Sequence, residues 1–197
     1  MNLRLKQLDR EYIKNKYPTI KRSKFNDRPG AYGLNASFMQ FLENNKNTTD
    51  NFIIWYEDDA IPAENEDLFD SQLDIAMQLI LNDNNVTNNV YYLAYTNYCK
   101  KKCKNVNKWI KKTYNTKNGS HCIIFTKSSI NTILNYMEKN TIKLPIDNLL
   151  YFLYGKGIIN AYDWGNNILD EKGMFCGLFT QLNTYCDKRV SVINNIT

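Results

Sequence analysis

Glu57, Asp58 and Asp59 are three consecutive carboxylates, and they follow directly on the apolar run Phe52-Ile-Ile-Trp-Tyr56. Like charges side by side repel, so a half-buried cluster of this kind is stable only when a cation or protons neutralise it. Hard oxygen ligands favour Mg²⁺ or Mn²⁺. One reading is a metal site at a strand end that holds a phosphorylated substrate. The other is an acidic turn in water. The abrupt passage from apolar run to acid triplet favours the first. His121 is the only histidine, and it follows Gly119-Ser120 at the start of another apolar run. A backbone at such a glycine can approach a ligand closely, which makes His121 a candidate ligand or acceptor contact. A lone histidine is more often structural. Trp55, Tyr56, Tyr95 and Trp164 could stack on a base or a sugar ring, or simply pack.

These residues need elements to hold them. The run 52–56 is short, continuous and apolar, as in a strand buried on both faces inside a parallel sheet. Its carboxyl end is where open α/β sheets bind ligands. Pro62 is expected to prevent an orderly continuation of the ladder. Leu5, Leu8, Tyr12 and Ile13 recur at helical spacing, so residues 3–17 read as an amphipathic helix ended by Pro18. Residues 23–33 read as a loop, and 34–44 as a second helix with Phe38, Phe41 and Leu42 on one face. A long helix is expected over 66–81, its first turn acidic as the helix dipole prefers. Strands are expected at 90–95, 119–125 and 158–162. Ser128 is expected to cap a helix over 129–138, and a helix over 148–154 should stop at Gly155. Residues 98–112 carry seven lysines around Trp109. They read equally as a solvated loop or as a phosphate contact. The final thirty or so residues read as irregular. Strands alternate with helices, so the fold class is α/β with a mostly parallel central sheet flanked by helices.

Composition bounds the function. The chain has 197 residues, 43% hydrophobic and 23% charged, and a net charge of +5. That fits one folded domain rather than a disordered segment. The charge is explained by a lysine-rich composition or by an anionic partner such as a nucleotide diphosphate. No apolar run has the length of a membrane span, and no signal-peptide pattern is read. The five cysteines lack paired zinc spacing, and reduced thiols in a cytosolic setting are the expectation. The bias toward Asn, Lys and Ile suggests an AT-rich viral or bacterial genome; a viral member would work in the host cytoplasm.

The order of motifs resembles glycosyltransferase family 25, the lipooligosaccharide and collagen galactosyltransferase group. Met1-Asn-Leu3 with Asp9-Arg10 is similar to the family's Asn-Leu…Arg segment. Gly33-Leu-Asn-Ala-Ser37 resembles its Ser-His helix, with Phe38 where the family has His. Glu57-Asp-Asp-Ala-Ile-Pro62 is close to its Glu-Asp-Asp motif, and 90–94 resembles its Tyr-Leu-Gly strand. Gly119 to Ser129 resembles the family's next turn, strand and helix. Pro145-Ile-Asp147 matches its Pro-x-Asp, and Gln181 with Ser191-Val-Ile193 its closing segment. The family's first strand has no counterpart ahead of Asn2.

The resemblance implies a single GT-A type (Rossmann-like) domain over 1–197. The implied activity moves a sugar from a nucleotide sugar, UDP-galactose or UDP-glucose first, to a glycan or protein acceptor, with no nucleic acid partner. Mn²⁺ or Mg²⁺ held by Glu57, Asp58 and Asp59 would offset charge growing on the leaving diphosphate. Asp147 is the first candidate for the base that takes the acceptor proton, because Pro145 fixes the chain before it. It reads equally as a helix N-cap. Asp163 is the second candidate. Trp55, Gly119, Ser120 and His121 are the expected donor or acceptor contacts. Two rivals stand: a metal-dependent phosphohydrolase, and a non-catalytic nucleotide-sugar or glycan-binding relative.

Overall fold

A computed structural model describes residues 10–21, 29–57, 60–62, 66–83, 86–93, 96–98, 108–111, 122–165, 174–176 and 179–181. The chain divides into two compact units, each built from two separate stretches. One holds Met1–Asn51 and Lys127–Ile159, and the other Phe52–Thr126 and Asn160–Thr197.

The first unit is helical. It contains α1 (Arg10–Lys16), α2 (Pro29–Asn45), α4 (Lys127–Lys139) and α5 (Ile146–Gly155). The element between, α3 (Glu66–Leu81), belongs to the second unit. Tyr32, Asn35, Ala36, Met39 and Leu42 recur at helical spacing and are all buried. Their helix, α2, packs against α4 and α5. Ser129, Ile130, Ile133, Leu134 and Met137 form the buried stripe of α4. Isolated pairing of Ile20 with Ile142 ties the segment after α1 to the segment before α5.

Three helix boundaries depart from the sequence reading. The second helix starts at Pro29 rather than Leu34, so Gly33 lies inside it. Proline suits a first helical position, because its missing N–H would be unbonded there anyway. Ser128 does not cap α4, which runs on directly from the preceding strand at Lys127. α5 begins at Ile146 rather than Asn148 and ends, as expected, at Gly155; the left-handed residue that follows is Gly157, at φ +68°. Of the expected helix over 3–17, residues 1–9 lie outside the described part.

The second unit is a sheet with α3 on one face. Its strands are β1 (Phe52–Tyr56), β3 (Asn89–Tyr92), β5 (Lys108–Lys111), β6 (Cys122–Thr126) and β7 (Asn160–Gly165), in the order β1-β6-β3-β7-β5. Two short pairs lie apart: β2 (Ala60–Pro62) with β9 (Phe179–Gln181), and β4 (Thr96–Tyr98) with β8 (Met174–Cys176). The fold class is thus α/β, but the sheet is mixed rather than mostly parallel. Within this sheet, among the described residues, β3 and β7 alone pair in parallel; β1–β6, β3–β6 and β5–β7 are antiparallel. Counting alternating helices and strands cannot reveal this, because strand order and direction are set by long-range pairing; β5, moreover, comes from the lysine-rich stretch read as loop or phosphate contact.

β1 is at the sheet edge, not inside it, and Ile54 and Tyr56 are 44% and 66% exposed. Two strands inside the sheet, β3 and β6, are buried along their whole length. The β1–β6 ladder ends at Tyr56, and Pro62 is the last residue of the short strand β2, where it stands opposite Phe179. A two-stranded ribbon leaves an edge where a missing N–H costs nothing.

The core between α3 and the sheet is formed by Ala76, Ile80, Tyr91, Leu93, Cys122, Ile124 and Trp164. Trp109 joins it edge-on to Tyr91 and Trp164, at centroid distances of 4.9 and 5.0 Å, and donates its indole N–H to the Ala76 carbonyl at 3.0 Å. At the far end of the sheet Asn89, fully buried, donates to the Tyr91 hydroxyl at 2.9 Å and accepts from the Asn160 amide at 3.1 Å. Buried amides are tolerated only when bonded in this way.

Candidate functional site

Strand direction decides which residues gather. β3 and β7 run the same way. β1 opposes β6, and β6 opposes β3, so β1 runs with β3 and β7. β5 opposes β7 and therefore runs with β6. The carboxyl ends of β1, β3 and β7 and the amino ends of β5 and β6 accordingly share one end of the sheet. Glu57 follows β1 there, Leu93 follows β3, and Trp164 and Gly165 close β7. Cys122, the residue after His121, opens β6, and Lys108 opens β5. Among the described residues, Trp55, Tyr56, Glu57, Asp163 and Trp164 belong to this end, the usual ligand-binding end of an α/β sheet.

One cross-strand row runs Trp55–Ile123–Tyr92–Asp163–Ile110 through all five strands. Paired residues share a face, so Trp55 and Asp163 lie on the same side of the sheet. The adjacent row, Tyr56–Cys122 on one side and Trp164–Trp109 on the other, belongs to the α3 face. Asp163 is three strands from Trp55, about 14 Å at the usual strand spacing of roughly 4.8 Å. Asp163 is buried and Trp55 half-buried. The two therefore share a face without touching.

The acid motif is partly described. Glu57 is half-buried, and its carbonyl accepts the Ala60 N–H at 3.0 Å, the four-residue span of a β-turn. Asp58 and Asp59 lie outside the described residues, as do Gly119, Ser120, His121, Tyr95 and most of the lysine-rich segment. Ala60 then pairs with Gln181, so the chain's late segment returns beside the acid motif. Gln181 entered the sequence reading only through the family resemblance. A three-residue strand is too short for periodicity to find. Among the described residues, no three His, Cys, Asp or Glu side chains gather to hold a metal. The donor set of the motif itself, three adjacent carboxylates, is of the hard-oxygen kind that suits Mg²⁺ or Mn²⁺.

Asp147 belongs to the helical unit. It is not the N-cap of its helix: α5 begins at Ile146, and Pro145 holds the cap position without a side-chain bond. Asp147 is half-buried in the first turn, and its Oδ1 accepts the Asn148 N–H at 3.0 Å. A carboxylate there is favoured by the helix dipole.

Cys122 is excluded as a nucleophile. Its thiol is fully buried, and burial pushes its pKa from 9.0 up to about 12. Cys122 is not part of a disulfide. Tyr56, beside Glu57, is instead the most exposed large hydrophobic side chain among the described residues. No helix among the described residues is long and apolar enough to cross a membrane. No protein-family model matches the chain, and comparison with curated proteins gives no match.

Proposed function

We propose that the protein is a metal-dependent glycosyltransferase of the GT-A type. In this reading the whole chain acts as one domain in the cytoplasm and moves a hexose from a UDP-sugar to a glycan or protein hydroxyl. The observation that carries the reading is the gathering of strand ends: Glu57, which opens the acid motif, stands at the sheet end shared by β1, β3 and β7. The resemblance to glycosyltransferase family 25 in motif order supports it.

Glu57, Asp58 and Asp59 would hold Mn²⁺ or Mg²⁺, which when bound supplies positive charge against a leaving diphosphate. Trp55, Gly119, Ser120 and His121 would contact the donor or the acceptor. Asp147 would take the proton of the attacking hydroxyl, its Oδ1 already oriented by the Asn148 amide. Asp163 is the second candidate for that proton, and it is the more buried of the two.

Thermal shift tests donor binding. A ligand at one hundred times its Kd stabilises by about 2.7 kcal/mol. That corresponds to roughly 5–11 °C in Tm for a chain of this length. UDP-galactose or UDP-glucose with Mn²⁺ should reach this range, and the same nucleotide sugar with EDTA should give much less. Equal shifts with and without metal would remove the acid motif from donor binding. Hydrolysis of simple phosphodiesters would favour a phosphohydrolase instead.

A further inference from the structure

Asn35 is a buried amide whose two polar atoms have different fates. It is 1% exposed in the middle of α2. Its Nδ2 donates to the Leu144 carbonyl at 2.8 Å, across 109 residues of sequence. Its Oδ1 is buried and makes no hydrogen bond among the described residues. A buried amide left half-satisfied is an unfavourable way to fill space, and an apolar side chain would fill it without that cost. The bond it does make therefore needs a reason.

The reason lies in the start of α5, just beyond Leu144. The carbonyl of Pro145 begins the helical ladder by accepting the Leu149 N–H at 2.8 Å. Leu144 precedes a proline, which disfavours helical backbone, so its carbonyl falls outside that ladder. Asn35 supplies the donor. Two residues earlier, Ile142 is gripped as well: its N–H donates to the Thr19 carbonyl and its own carbonyl accepts the Lys21 N–H, both at 2.8 Å. The strip 142–144 is thus held at two points, and Asp147 stands three residues beyond the second, in the first turn of α5.

We propose that Asn35 is a positioning residue for Asp147, acting through the Leu144 carbonyl to fix the start of α5 and with it the Asp147 carboxylate. The catalytic consequence rests on the reading of Asp147 as the base, whereas the structural consequence does not. Nδ2 is the working atom. A side chain of the same shape without that donor releases the strip.

Hydrogen exchange and kinetics on the full chain test this separately. In Asn35→Ala the Asn148 and Leu149 amides should exchange on the order of tenfold faster, the scale of one lost hydrogen bond. The amides of β6 in the other unit should be unchanged. Unaltered exchange at Asn148 and Leu149, or equal acceleration throughout the chain, would overturn the proposal. Asn35→Asp provides a second variant with a pH signature. Protonated, its carboxyl can still donate to the Leu144 carbonyl; ionised, it cannot. Protection of Asn148 should therefore be near wild type at acid pH and fall as pH rises, and a flat profile would contradict the role of Nδ2. If the wild type transfers sugar, kcat of Asn35→Ala should fall about tenfold with donor KM unchanged, and an unchanged kcat would overturn the proposal. If the wild type transfers none, the proposed function fails, and the exchange result alone decides whether Asn35 holds Asp147.

Discussion

Replacing Asp147 by Asn separates a catalytic carboxylate from a structural one. Asp147 is not a cap; its Oδ1 accepts the Asn148 N–H at 3.0 Å, and its charge stands at the head of α5. Asparagine keeps an oxygen that can accept the same bond. It loses the interaction of the charge with the helix dipole, about 0.3–1 kcal/mol. At roughly 2–4 °C per kcal/mol for a chain of this length, Tm should fall by about 1–4 °C. A general base contributes about 10²–10⁴ in rate, and Asn cannot take a proton. Asp147→Asn should thus lose about 10²–10⁴ in transfer kcat while donor binding, measured by calorimetry, stays within about twofold. Slow hydrolysis of the donor should persist, because help to the leaving group does not pass through Asp147. Wild-type transfer by a folded Asp147→Asn protein would refute the assignment and leave Asp163 as the remaining candidate. A much larger loss of Tm would show that the carboxylate carries structural bonds beyond the one to Asn148.

Gly33 lies within α2, and a Cβ there would meet nothing within 4 Å. Gly33→Ala should raise stability by about 0.5–1 kcal/mol in denaturant titration; a loss would mean that something approaches the backbone at that point. Cys122 gives a pH dependence of definite sign. Its folded pKa, about 12, is above the ordinary 9.0, so the unfolded thiol ionises first. The stability it contributes is complete below about pH 9 and is lost as pH rises toward 12. Tyr91, raised from 10.0 to about 12 chiefly by burial, adds to the loss from about pH 10 upward. Unfolding free energy measured from pH 8 to 10 should therefore fall less steeply in Cys122→Ala than in the wild type, and parallel curves would argue against the buried thiol as the cause.

Much of the fold was legible where a signal was long. The helix over 66–81 needed only its apolar spacing and acidic first turn, and it has those bounds. The strand ending at Thr126 was legible as an unbroken apolar run. The same signal misled at Phe52–Tyr56, because such a run does not distinguish a central strand from an edge whose neighbours leave one face open. There, Ile54 and Tyr56 emerge into solvent. Lys108–Lys111 was hidden by its charges: a strand at the other sheet edge can carry lysines while burying an aromatic ring, as Trp109 does against Tyr91 and Trp164. Local sequence could not reveal that Asn35 reaches Leu144 or that Gln181 pairs with Ala60, because both depend on long-range packing. The candidate site drew attention through the three carboxylates that begin at Glu57. The convergence of strand ends around it depends on strand order and direction, which no local pattern encodes.

The central claim is that the acid motif serves transfer from a nucleotide sugar, and release of UDP tests it most directly, since no acceptor need be known. Wild-type protein with UDP-galactose or UDP-glucose and Mn²⁺ should release UDP at a steady rate. EDTA should stop it, added Mn²⁺ should restore it, and Asp59→Asn should reduce it at least about a hundredfold, the scale for losing one transition-state stabiliser. No UDP from either nucleotide sugar, or equal release in EDTA and in a folded Asp59→Asn protein, would contradict the account.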